Sequence, residues 1–264
     1  MSTKYWQKQG KEPLYKELFW DKPENKQLAG KLLVIGGNAH GFAAPASAYQ
    51  AAINFGVGVV KVLLPDSLKK AVGPILENGE YAPSNKSGSF SKNSLAEWLD
   101  FAHWSDGVLL PGDMGRNSET SIVLEQFLVK YSGQITITQD ALDYFTQSPL
   151  KLLERTDTTI VANFAQLQKI AMHAHFIKAF TFDMPIAAMV ENLHLLSTLH
   201  PAAIVIKHNN TFFVAHGGDV CTTHVDPSEN FWRIASAASA SVWTLQNPSK
   251  IFAALSSAVF ELNQ

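Results

Sequence analysis

Short apolar runs rich in β-branched residues alternate along this chain with longer helical stretches, and that order leaves few folds open. The runs fall at residues 32–36, 57–64, 107–110, 134–138, 158–162 and 202–207, with a further short one at 211–215. Most are bounded by Gly, Pro or polar residues, the form taken by strands buried on both faces. Helices are predicted between them at 44–55, 66–76, 118–131, 165–173 and 185–199. Strand and helix in repetition imply an α/β fold, a mostly parallel central sheet with helices on both faces.

The last third breaks the pattern. Residues 204–214 read as a hairpin with His208, Asn209 and Asn210 in its turn. Residues 227–246 and 248–262 read as two consecutive helices separated at Asn247-Pro248, because proline stops one helix and suits the first turn of the next. At 264 residues the chain suits a single domain. Residues 29–264 are assigned to it, and residues 1–28 to an N-terminal arm lying on it. A formal net charge of −2 gives no reason to expect nucleic acid or an anionic membrane as partner. No apolar run approaches the roughly 20 residues that span a bilayer. The single cysteine, Cys221, permits no disulfide within the chain and suits a reducing, cytoplasmic setting.

The candidate ligand loop is KLLVIGGNAHGFAA, residues 31–44: a strand, Gly36-Gly37, a polar stretch with Asn38 and His40, then an alanine-rich helix. Glycines at a strand end let backbone approach a ligand closely, and the helix start that follows offers N–H groups to a phosphate. A tight strand-to-helix turn with no ligand explains the same residues. The spacing is not a complete dinucleotide fingerprint.

The stretch GKLLVIGGNAHGFAAPASAYQAAINFGVGVVKVLLP, residues 30–65, closely resembles the opening of the ADP-dependent NAD(P)H-hydrate dehydratases. That family has Gly-Gly-Ser, then Gly-Ala, an alanine-rich helix, and Gly-Ala-Gly before the second strand. Asn38 stands where it has Ser, and Ala43 where it has Gly. GVLLPGDMG (107–115) resembles a strand followed by Gly-Pro-Gly-Leu-Gly, with Pro111, Gly112 and Gly115 matching. ITITQDAL (135–142) resembles a strand ending in Asp-Ala-Asp-Ala-Leu; Asp140 matches the second acid and Thr138 replaces the first. IVIKHNNTFFV (204–214) resembles a strand, Lys-Gly and a return strand, with Lys207 matching. The resemblance implies a three-layer ribokinase-like fold, ADP or ATP with Mg²⁺ as cofactor, NAD(P)H as substrate class, and self-association into a homo-oligomer. It also implies a reaction in which the nucleotide phosphorylates the hydrated ring and phosphate is then eliminated.

Two departures bear on that chemistry. The family's Thr-Pro-His, two residues, then Glu is replaced by residues 161–166, VANFAQ, which place Asn163 at the histidine position. Its Gly-(Thr or Ser)-Gly-Asp gives way to Glu229-Asn230-Phe231-Trp232. Bare glycine amides reach an anion that Glu229 would repel, and position 232 lacks the carboxylate that would serve as base. Asp226-Pro227-Ser228-Glu229 reads instead as a capped helix start; Asp226 taking over as base is the functional alternative. The expectation is therefore a dehydratase relative with weakened or lost activity. The alternatives are an inactive nucleotide-binding or scaffold homologue and a small-molecule kinase of the same superfamily. Gly36, Gly37, Asn38, His40, Gly112, Gly115, Asp140, Asn163 and Lys207 are the candidate nucleotide- or substrate-binding residues. No metal-ligand pattern is found. Asp140 also reads as the cap of a helix over 141–145, and Asp113 and Asn117 as turn formers.

Overall fold

The structure is a computed structural model and describes residues 4–74, 76, 79–225 and 232–263. The strands are β1 (Trp6–Gln9), β2 (Lys31–Gly36), β3 (Val59–Pro65), β4 (Gly79–Ala82), β5 (Gly107–Gly112), β6 (Gln134–Thr138), β7 (Thr158–Ala162), β8 (Ala203–His208), β9 (Thr211–His216) and β10 (Asp219–His224). The helices are α1 (Lys16–Trp20), α2 (Ala43–Asn54), α3 (Lys69–Val72), α4 (Leu95–Trp104), α5 (Ser118–Lys130), α6 (Gln139–Asp143), α7 (Leu150–Leu153), α8 (Phe164–His173), α9 (Ile186–Leu199), α10 (Trp232–Gln246) and α11 (Ile251–Glu261). The strands form one mixed sheet in the order β1-β10-β9-β8-β7-β6-β5-β2-β3-β4. Pairing is parallel throughout except on the two sides of β9.

Strand side chains alternate between two apolar cores, as the pleat requires. Leu33 and Ile35 of β2 join one core with residues of α4, α5, α8 and α9. Leu32 and Val34 join the other with residues of α2, α10 and α11. Helix α10 explains the second core's shape. Its buried face carries Ser236, Ala237, Ala240, Ser241 and Thr244, side chains small enough for the helix to press onto β5, β6 and β7. The strand residues it meets are equally small: Thr136, Thr138 and Thr159 are all buried.

The mostly parallel order read from the sequence is present, with differences at the margins. Three further strands, β1, β4 and β10, complete the sheet. Strand β1 lies at one edge, where Trp6 Nε1 donates to Thr222 Oγ1 at 2.9 Å and Gln9 Nε2 to Thr223 Oγ1 at 3.0 Å. The helix expected over 66–76 is a 3₁₀ turn followed by the short α3, ending before Gly73-Pro74. His208 is the last residue of β8 rather than part of the turn. Asn209 and Asn210 make the turn alone, both at positive φ (45° and 49°), as a two-residue hairpin loop demands. The helix expected over 227–246 is described from Trp232 onward. Cys221 is buried on β10, and burial pushes its thiol up to about 11, which leaves it unreactive at neutral pH.

Candidate functional site

The loops that follow β2, β5, β6, β7 and β8 all leave the sheet at its carboxyl edge, where doubly wound folds take their ligands. Helix α2 begins at this edge, and so does the described part of α10.

The first glycine loop is shaped by contact with the second. A Cβ on Gly36 would stand 2.5 Å from the Gly112 carbonyl oxygen and 2.9 Å from Pro45 Cγ. Glycine is thus demanded here by backbone and proline packing within the protein. Gly37 N–H donates to the same carbonyl at 3.3 Å. Gly112 has φ +121°, and a Cβ there would lie 2.8 Å from both Asp140 Oδ1 and Gln139 Cβ. Asn38 Nδ2 donates to the Asp113 carbonyl at 2.7 Å, while its Oδ1 accepts from His40 N at 2.8 Å. The His40 side chain is exposed.

Asp113 is the pivot of this arrangement. Its backbone is left-handed, φ +58°. From there its Oδ2 accepts a 2.7 Å hydrogen bond from Ala44 N, in the first turn of α2. An N–H that the sequence offered to a phosphate is therefore held by a carboxylate of the protein itself, 69 residues away along the chain.

A second carboxylate lies beside it. Asp140 sits in the first turn of α6 and does not cap that helix; Thr138 occupies the cap position and its hydroxyl bonds the Val161 carbonyl at 2.8 Å. Burial raises the Asp140 pKa above the ordinary aspartate value, the nearby Asp113 adds to the rise, and the backbone N–H groups of Met114, Asp113 and Gly115 oppose it. Asp140 Oδ1 is buried without a hydrogen-bond partner. Its predecessor Gln139 is also left-handed, φ +55°.

Asn163 begins α8 with a reciprocal capping box: its side chain accepts from Gln166 N at 2.8 Å, and Gln166 Oε1 accepts from Asn163 N at 3.1 Å. Gln166 Nε2 reaches back to the Gln139 carbonyl at 2.8 Å and Asp143 Oδ1 at 2.7 Å. Arg233, in the first turn of α10, places Nη1 3.4 Å from Gln166 Oε1. Burial lowers its pKa and Asp143 opposes that. Lys207 lies two strands from β6, at the end of β8. Its ammonium is 5.7 Å from the Phe212 ring centroid, and Trp232 packs edge-on against that ring at 5.3 Å.

Gly36, Gly37, Asn38, Gly112, Gly115 and Asp140 are thus drawn into one cluster around Asp113, with Asn163 linked to it through Gln166. Asp226, Glu229 and Phe231 lie outside the described residues. A cleft of about 540 Å³ opens beside the cluster, lined among others by Arg116, Asn117, Asp143, Tyr144 and Lys169. Tyr144 secures its wall, donating to the Gly115 carbonyl and accepting from Asn117 N at 3.1 Å. Asn117 in turn caps α5. These cleft residues were not singled out as ligand-binding from the sequence. Near the cluster, the Asn163-x-x-Gln166 spacing is a signal from which the α8 capping box could have been read.

The sheet order and the ligand edge are those of the ribokinase-like fold. A ribokinase-like superfamily protein from Enterococcus faecalis superposes with a TM-score of 0.73 at 14% identity, covering 99% of this chain and 88% of that one. An ADP/ATP-dependent NAD(P)H-hydrate dehydratase from Bacillus subtilis, co-crystallised with ATP and Mg²⁺, superposes at 0.63 with 12% identity, over 95% and 87% of the two chains. In sequence the chain is similar to the NAD(P)H-hydrate repair enzymes: the bifunctional repair enzyme of Methanocaldococcus jannaschii is 30% identical over 123 residues, 46% of this chain. That match spans only 24% of the archaeal enzyme's length. No protein-family model matches the chain.

Proposed function

We propose that this protein is a ribokinase-like relative of the NAD(P)H-hydrate repair enzymes in which phosphoryl-transfer chemistry is weakened or lost, while a small-molecule cleft is kept at the carboxyl edge. The observation that carries this reading is the Asp113 carboxylate on Ala44 N. This bond disfavours a nucleotide phosphate at the first glycine loop, because one amide at the start of α2 is already taken and a like charge stands beside it. Asp140, which matches the family's acid, stands beside it with its pKa raised by burial and by Asp113.

Asp226 remains the candidate base in any residual activity, and Lys207 a candidate nucleotide contact. Two cores on opposite faces of the sheet support a three-layer arrangement, and the reduced, buried Cys221 suits the cytoplasm. The deciding assay follows dehydration of hydrated NADH and NADPH with ADP, then ATP, in the presence of Mg²⁺. The expected result is no turnover, or turnover lower by about 10²-fold or more than an intact enzyme, as loss of a positioned base implies. Full-rate turnover with either nucleotide overturns the proposal.

A further inference from the structure

A second cavity lies at the opposite, amino edge of the sheet, beneath the last turn of α10. It measures about 350 Å³, room for a small organic molecule. The residue before β5, the start of β6 and the start of β7 form its polar wall; Leu245 and Ile251 form its apolar one. Neither Lys nor Arg is among its lining residues, whereas Asp106 and Asp157 are.

Thr159 is 3% exposed and lines the cavity. Its strand neighbour two residues on, Val161, belongs to the core under α10, so the Thr159 side chain is on that same face. Among the described residues its hydroxyl has no hydrogen-bond partner, unlike Thr158 and Thr244 on either side of the cavity. Gln134 commits its amide nitrogen to the Ser241 carbonyl at 3.3 Å and to Thr244 Oγ1, which leaves its carbonyl oxygen to accept. Asp157 takes one donor, Thr156 Oγ1, on Oδ2, and Asp106 takes Lys31 N on Oδ2 at 2.8 Å. The carboxyl end of α10 adds partial negative charge. Apart from the Thr159 hydroxyl, which can donate as well as accept, the free groups of the wall are acceptors. The guanidinium of Arg155, which acts on the Asp157 charge, is bonded to Thr158 Oγ1 and the Leu128 and Gly133 carbonyls.

We propose that this cavity binds a small organic cation, a primary alkylammonium. The three N–H donors of such a group meet Thr159, Gln134 and Asp157, and its alkyl part lies on Leu245 and Ile251. The site is separate from the carboxyl-edge cleft and stands whether or not the repair reading does.

The test is titration of the full chain with n-butylammonium at constant ionic strength, followed by amide chemical shifts, beside 1-butanol and butyrate as neutral and anionic counterparts. Butylammonium is expected to give saturable shifts at the starts of β6 and β7, 1-butanol much weaker ones and butyrate none. Thr159→Val, nearly isosteric and therefore expected to melt as the parent does, and Asp157→Asn should each raise Kd by about tenfold or more, the size of one charge-assisted hydrogen bond. Absence of saturation, unchanged affinity in both variants, or equal binding of 1-butanol overturns the proposal.

Discussion

The two edges of the sheet treat their polar groups in opposite ways. At the carboxyl edge, where the fold class takes ligands, the chain answers most of its own groups, the buried Asp140 Oδ1 excepted. Asp113 takes the α2 amide, Asn38 holds Asp113, Asn117 caps α5, and Asn163 and Gln166 cap each other. At the amino edge, among the described residues, the Thr159 hydroxyl and the Gln134 side-chain carbonyl are left without protein partners. Fold position says where a ligand could bind; the state of the donors and acceptors says whether the protein still waits for one.

The largest effect should come from Gly36→Ala. If Gly36 is required by packing against Gly112 and Pro45, the added methyl costs about 2–4 kcal/mol of stability in urea unfolding, because one obstacle is backbone. A variant that unfolds like the parent would show that the glycine serves a ligand instead, and the contrast between the edges would collapse. Asp113→Gly should cost no more than about 1 kcal/mol, since the lost cap is partly offset by relief of the positive φ. It should also create measurable binding of inorganic phosphate, absent in the parent; calorimetry showing none would mean that the carboxylate is not standing in for an anion.

The smallest effect is a change in pH dependence. Asp140 has a raised native pKa, so the folded state holds its proton more tightly than the unfolded chain does. Its penalty is absent below the ordinary aspartate range, and stability is lost as pH rises from there through the raised native value. Asp140→Asn should accordingly be more stable than the parent near neutrality, the advantage vanishing in acid. Parallel stability curves from acid to neutral pH would show that Asp140 is not burdened by its setting.

How much of this was legible depended on burial. Strands such as Ile135–Ile137 and Val205–Ile206 declare themselves because both faces are covered and every position is selected for the interior. β1 (WQKQ) and β10 (DVCTTH) carry too many polar residues for periodicity to find, and β4 (GEYA) is short and at the other edge. At the site, the glycines and Asp140 were visible as composition at strand ends. The capping of α2 by Asp113 was not, because it joins two loops through the fold and leaves no local spacing to read. Asn163 and Gln166 show the converse: their local spacing states a cap plainly, although resemblance drew attention to Asn163 as a ligand residue.

Strand β1 has a consequence for how the molecule is made. Trp6 reaches its partner Thr222 across 216 positions of sequence, and among the described residues its strand pairs, in parallel, with β10 alone. During synthesis the segment that forms β1 leaves the ribosome long before β10 exists. At roughly 5–20 residues per second it waits about 10–40 s without a template. Closure of the sheet at that edge is therefore a late event, timed by translation of the hairpin that receives it.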